Sequence, residues 1–247
     1  MFELIQPYFE DLYRLSGVNF IVFYDRYEYG RLLGGMAVTV SLGVSCILLS
    51  LVIGILGAWA QEAPSRFLRH IVAAYIQAFR NTPPLVQMLF FYFGLGQVTP
   101  QVDAGGYFVP LIGAFGWAVI SLGCFGGAFN VEIFRASISA VPRGLREAAD
   151  SLGYTRTQTF AYVIFPLAFR FSLPALTGNL ISLLKTTSLA YAIAVPEMTQ
   201  VANQIWSDNV NVPEMMLILF VFYNLIVAAL AGVLHLLERS LRIPGYR

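Results

Sequence analysis

The stretch LLGGMAVTVSLGVSCILLSLVIGILGAWAQ, running from Leu32 to Gln61, decides the fold class. It holds no charged residue. About 20 apolar residues in a helix are enough to cross the hydrocarbon core of a bilayer. Gly34 to Ala60 therefore reads as a membrane span. The remainder of the chain follows the same pattern. Of its 247 residues, 57% are hydrophobic and 12% charged, against about 25% charged in an ordinary soluble domain. A soluble fold of this size has no interior large enough for so much apolar surface. Disordered and fibrous classes fall on the same ground. A formal net charge of +1 gives no bulk field to attract nucleic acid.

Four further spans follow outward from the first. Ile71 to Gly96 is apolar apart from Arg80, and Val109 to Asn130 is uncharged. Leu167 to Val195 is interrupted by Arg170 and Lys185, and Met215 to Leu237 completes the set. The fold class is an all-α integral membrane protein with five transmembrane helices. Connections 61–70 and 132–166 and the C-terminal tail carry the basic residues: Arg66 and Arg69; Arg135, Arg143, Arg146 and Arg156; Arg239, Arg242 and Arg247. Connections 97–108 and 196–213 carry none. The positive-inside rule places the first group in the cytoplasm and the N-terminus outside. Residues 1–33 form an aromatic-rich N-terminal segment suited to the membrane interface, or to docking an external partner, ahead of a transmembrane domain over 34–247. It lacks the basic-then-apolar order of a signal peptide. Cys46 and Cys124 sit within apolar runs and read as packing residues, with no disulfide or metal framework. His70 and His235 read as interfacial residues near span ends.

The cytoplasmic connection of about 132–166 contains Pro142-Arg143-Gly144-Leu145-Arg146-Glu147-Ala148-Ala149-Asp150-Ser151-Leu152-Gly153. Proline suits the first turn of a helix and glycine the position just past its end. Leu145, Ala148, Ala149 and Leu152 fall at i, i+3, i+4 and i+7, one apolar stripe. A helix this short needs a surface to rest on. Lipid headgroups are one such surface, and a cytoplasmic protein is the other.

Charge inside a bilayer is costly unless it faces protein or water. Arg80 and Lys185 both fall near mid-depth. Pro83-Pro84 directly after Arg80 predicts a helix break or kink, and a broken helix at mid-depth often marks a transport site. Arg80, Asn81, Thr82, Gln87, Lys185, Thr187 and Ser188 are the candidate substrate contacts, two cations offering a site for a carboxylate. The alternative is structural, with the cations paired to backbone carbonyls or to Glu132. Gly113, Gly116, Gly123, Gly126 and Gly127 in span three predict close helix packing, within the chain or between subunits. Lys185 is the only lysine and sits in an apolar run, so no phosphate-cradling Walker loop is present. Clustered catalytic carboxylates or histidines are absent from the spans, which argues against a membrane enzyme. An ion-coupled secondary transporter remains the alternative, disfavoured by five spans without an internal repeat.

Several segments together resemble a known family. Glu147-Ala148-Ala149, then Gly153, then Val163-Ile164-Phe165-Pro166 resembles the EAA signature of ABC importer permeases, with Val163 and Phe165 departing from its usual ending. Phe79 to Gln87 is similar to the FRGTPLLVQ segment of polar amino acid permeases, Glu132 to Arg135 to their EIFR, and Lys185 to Leu189 to their KDTSL. Thr186 stands where the family usually has Asp, which favours an anionic or neutral substrate. The resemblance implies the type I importer permease fold. It implies the membrane subunit of an ATP-driven importer of a polar amino acid, or a related compound such as an opine, in a bacterial inner membrane. The implied partners are a second permease subunit, identical or different, two cytoplasmic ATPase subunits that carry ATP and Mg, and a periplasmic substrate-binding protein. No cofactor belongs to this chain. The ATPase-coupling role is carried over onto Arg146, Glu147, Ala148, Ala149 and Gly153.

Overall fold

The computed structural model describes residues 2–103 and 105–241; the tail residues Arg242 and Arg247 lie outside the described residues. Helix α1 (Phe2–Ser16) and a 3-10 turn (Ile21–Phe23) precede α2 (Arg26–Gln61). The first span thus starts earlier than its apolar run suggests. Asp25 sets the start: its side chain accepts from the amides of Tyr27 and Glu28, as an N-cap carboxylate does. Phe9 packs on Phe20 and Phe23, with ring centroids 5.8 and 4.7 Å away.

The second span is two pieces. Helix α3 (Arg66–Arg80) is followed by α4 (Pro84–Leu89), which continues through a π turn (Phe90–Leu95) and a 3-10 turn (Gly96–Val98). Pro84 sits at the first turn of α4, so the break expected from Pro83-Pro84 is present. A short antiparallel hairpin, β1 (Gln101–Asp103) on β2 (Phe108–Pro110), leads into α5 (Ala114–Ser139). The third span therefore begins later and ends later than its uncharged run. Next come α6 (Arg143–Ser151), the short α7 (Arg156–Thr159), a π turn (Phe160–Ile164) and α8 (Phe165–Thr186). A 3-10 segment (Thr187–Ile193), α9 (Met198–Asn209) and α10 (Val212–Leu241) complete the order.

Apart from the hairpin, the described residues form a helical membrane protein. Four helical stretches are long and apolar enough to cross a membrane, and Pro84–Val98 is a shorter apolar helix. The largest packing interface joins α2 to α5, and α5 in turn packs on α8. Small residues allow this approach. A Cβ at Gly57 would come within 2.4 Å of Val131, one at Gly54 within 2.5 Å of Asn130, and one at Gly126 within 2.7 Å of Leu183. Gly123 and Gly127 are equally tight, against Leu49 and Ile53. Gly113 faces open space and Gly116 meets only its own Ile112, so these two make no contact with another helix of this chain. Between the same helices lies a polar staple. Asn130 Nδ2 donates to Ser50 Oγ at 3.1 Å, and Asn179 Nδ2 donates to Asn130 Oδ1 at 2.8 Å. Buried polar groups need such partners, and these tie α2, α5 and α8 in one register.

Candidate translocation and coupling sites

Helix α6 is held at both ends by local chemistry. Pro142 precedes it with an extended backbone. At the far end Gly153 adopts φ +79°, its amide donates to Asp150 O, and Tyr154 N donates to Ala149 O at 3.1 Å. That pairing is the Schellman motif, which satisfies carbonyls the helix itself leaves open. Only Ala149 of the apolar stripe is buried, at 3% exposure. Leu145, Ala148 and Leu152 stay exposed, Leu152 at 75%, as does Glu147. The helix therefore keeps most of its apolar stripe off its own protein. Arg146 reaches Glu62 at the end of α2, Nη1 to Oε2 3.7 Å, and Arg156 donates to the Glu62 carbonyl. A cleft of about 550 Å³ lies beneath, lined in part by Trp59, Glu62, Arg146, Asp150 and Phe160.

At the break between α3 and α4 the candidate polar residues bond within the chain, Thr82 and Gln87 to backbone carbonyls and Asn81 to a side chain. Thr82 Oγ1 donates to Ala78 O at 2.7 Å, and Asn81 Nδ2 donates to Gln77 Oε1 at 2.9 Å. Gln87 is 7% exposed. Its Nε2 donates to Phe79 O at 2.8 Å and Thr82 O at 2.9 Å, so it clamps the chain across the break. Its Oε1 is buried without a partner among the described residues. Arg80 Nη1 lies 3.9 Å from Glu132 Oε2, and its guanidinium sits 5.1 Å from the Phe129 ring centroid. Arg135 holds the same carboxylate at 2.9 Å. This is the structural pairing of Arg80 with Glu132 that the sequence offered as the alternative.

Lys185 differs. It is exposed in the last turn of α8 and makes no ion pair among the described residues. With Ser188, Tyr223, Asn224 and Val227 it lines a cleft of about 370 Å³ against α10. Lys185 and Ser188, three residues apart, meet there. Thr187 turns inward: it is fully buried and donates to Leu184 O at 2.7 Å. Behind the cleft lies Glu197, fully buried at the N-terminus of α9. Its carboxylate accepts from the amides of Thr199 and Gln200 and from Tyr223 Oη at 3.0 Å. Burial pushes the Glu197 carboxyl above its ordinary range, partly offset by these donors. Thr39 Oγ1 of α2 accepts from Met198 N at 2.9 Å and joins the same network. Among the described residues no cluster of His, Cys, Asp and Glu could hold a metal ion.

The model of the family described as binding-protein-dependent transport system inner membrane component matches residues 30–243. The glutamine transport system permease protein GlnP of Escherichia coli (strain K12) is 33% identical over 212 residues, covering 86% of this chain and 93% of that protein. The chain belongs to this permease family, on its polar amino acid branch. The glutamate/aspartate import permease protein GltJ of the same organism is 30% identical over 220 residues, covering 87% of this chain and 89% of that protein. A crystal structure of an amino acid ABC transporter with histidines aligns at a TM-score of 0.74 with 30% identity, covering 86% of this chain and 94% of that one. The methionine ABC transporter MetNI, in an inward-facing conformation, aligns at 0.72 with 20% identity, covering 89% of this chain and all of that one, which shows the shared fold. This permease is thus a multi-pass inner-membrane protein and the non-catalytic membrane subunit of an ABC transporter.

Three residues of this permease escaped the sequence reading: Glu197, Tyr223 and Asn224. Tyr223-Asn224 is a polar pair in the middle of an otherwise apolar helix, a signal of the same kind that singled out Lys185. Glu197 gave no such signal, because an acid after Pro196 in a connection reads as solvated.

Proposed function

We propose that this permease carries a polar amino acid inward through five bilayer crossings, with its N-terminus outside, α3 and α4 together forming the broken second crossing. The unpaired Lys185 carries this reading. A cation left in a membrane span needs an anion or water beside it, and the α-carboxylate of an amino acid supplies one. Arg80, already paired with Glu132, holds helices together beside the break. Helix α6 docks a cytoplasmic ATPase through Leu145, Glu147, Ala148 and Leu152. Its pinning to α2 through Arg146 and Arg156 passes ATPase closure to the spans. A second permease subunit and an extracytoplasmic binding protein complete the importer.

The test is radiolabelled amino acid binding to the assembled permease–ATPase complex without the binding protein, for the native chain and Lys185→Gln. Losing a charge-assisted hydrogen bond costs about 1.5–3 kcal/mol, which is about a tenfold to hundredfold rise in the dissociation constant. ATPase co-purification should be retained, since α6 is remote in sequence and untouched. Unchanged binding in a well-assembled variant removes Lys185 from the site.

A further inference from the structure

The Lys185 cleft has few polar groups, and each has a defined state. Ser188 Oγ donates to Lys185 O at 3.0 Å, so its lone pairs alone remain for a ligand. Tyr223 lines the cleft, but its hydroxyl is engaged by Glu197 Oε2 at 3.0 Å and Thr199 Oγ1 at 3.2 Å. Asn224 donates through Nδ2 to Phe220 O at 2.7 Å. A carbonyl accepts only, so the nitrogen must be the atom facing Phe220. Asn224 Oδ1 is then an acceptor with no donor among the described residues. An unpaired amide oxygen on a membrane-spanning helix is costly against lipid. The residues lining the cleft include no carboxylate. Its volume falls within the range of small-molecule sites, about 300–1,000 Å³.

We propose that Asn224 is the residue that selects the substrate side chain, and that the cleft takes an amino acid whose side chain is an uncharged hydrogen-bond donor, a carboxamide above all. The inference rests on Lys185 as the carboxylate contact. With the α-carboxylate at Lys185 and the α-ammonium at Ser188 Oγ, the side chain is left to meet Asn224 Oδ1 and Val227. A carboxamide N–H satisfies that oxygen. A carboxylate side chain would face a lone pair, and a guanidinium or ammonium would find no counter-charge.

The experiment measures L-glutamine, L-arginine and L-glutamate binding, with L-norvaline as the apolar reference, to the assembled permease–ATPase complex without its binding protein. The native chain should prefer glutamine. Asn224→Asp is nearly isosteric and adds a counter-charge, so the ratio of arginine to glutamine affinity should rise by about tenfold or more, as expected when a hydrogen bond becomes charge-assisted. Asn224→Leu removes the acceptor without adding charge, and the preference for glutamine over L-norvaline should disappear. A native preference for arginine or glutamate, or preferences unchanged in both variants, overturns the assignment of Asn224. Should Lys185→Gln meanwhile weaken all three ligands alike, the site still stands and only the selector is wrong. Should Lys185→Gln change nothing, the carboxylate contact itself fails.

Discussion

A polar side chain in a membrane helix can serve a ligand or its own backbone, and Gln87 does the second. The break at Asn81 to Pro83 leaves backbone carbonyls without intrahelical donors, and Gln87 Nε2 answers two, Phe79 O at the end of α3 and Thr82 O within the break. Leaving a buried carbonyl unpaired costs about 1–3 kcal/mol. Gln87→Leu should therefore lower the thermal unfolding midpoint of the detergent-purified permease. Substrate affinity in the surviving fraction should stay within about twofold, since every polar contact of Gln87 is internal. A large affinity loss with an unchanged midpoint would restore Gln87 to the substrate site. The sequence placed Gln87 above Arg80 and Thr187 beside Lys185 because depth is readable from residue count. Side-chain direction is not readable across a break or a switch to 3-10 geometry, where the 3.6-residue period is lost. Lys185 and Ser188 line one cleft, because the switch in winding still leaves residues three apart on one face.

Helix α6 shows how far local chemistry reaches at the scale of an element. Pro142 before it, Gly153 after it and the stripe between them were all readable from the sequence, because capping depends on neighbours in the chain. Its exposure was not, because that depends on what the rest of the fold leaves uncovered. Gly153 at φ +79° occupies a conformation that costs a residue with a Cβ about 1–2 kcal/mol. Gly153→Val should unwind the Schellman turn and weaken ATPase association about tenfold, measured by co-purification of the ATPase subunit. Gly144→Ala is the matched control: a Cβ there meets nothing within 4 Å, and alanine favours a helix over glycine. It should retain association. Equal loss in both variants would mean that the surface of α6, not its C-terminal turn, is what the substitution disturbs.

At the scale of the whole molecule, two sets of contacts gather the connections at opposite ends. At one end Glu214 accepts from Asn19 N at 2.7 Å, Asn211 donates to Asn19 O at 2.9 Å, and Arg31 reaches Asp208 at 3.2 Å. These join the N-terminal segment to the connection around α9. At the other end Arg146 and Arg156 join the α6–α7 connection to the end of α2. The sequence reading expects the first group of connections outside and the second inside. The second crossing is where charge counting has least to say, since α3 has 15 residues and at about 1.5 Å each cannot cross alone. If α3 and α4 cross as a pair, the hairpin near Gly106 lies outside. If both lie along the inner surface, Gly106 and Ser65 share the cytoplasmic side. Single cysteines at Gly106, Ser207, Ser65 and Ser151, in a chain with Cys46 and Cys124 replaced by alanine, separate the two. All four positions are exposed. A membrane-impermeant maleimide added to intact spheroplasts should label the first two, and the last two only after permeabilisation. Labelling of Gly106 only after permeabilisation would overturn the paired crossing and would contradict both the parallel packing of α2 on α5, in which Gly54 meets Asn130 and Gly57 meets Val131, and the Arg146–Glu62 contact that keeps α6 on the Ser65 side.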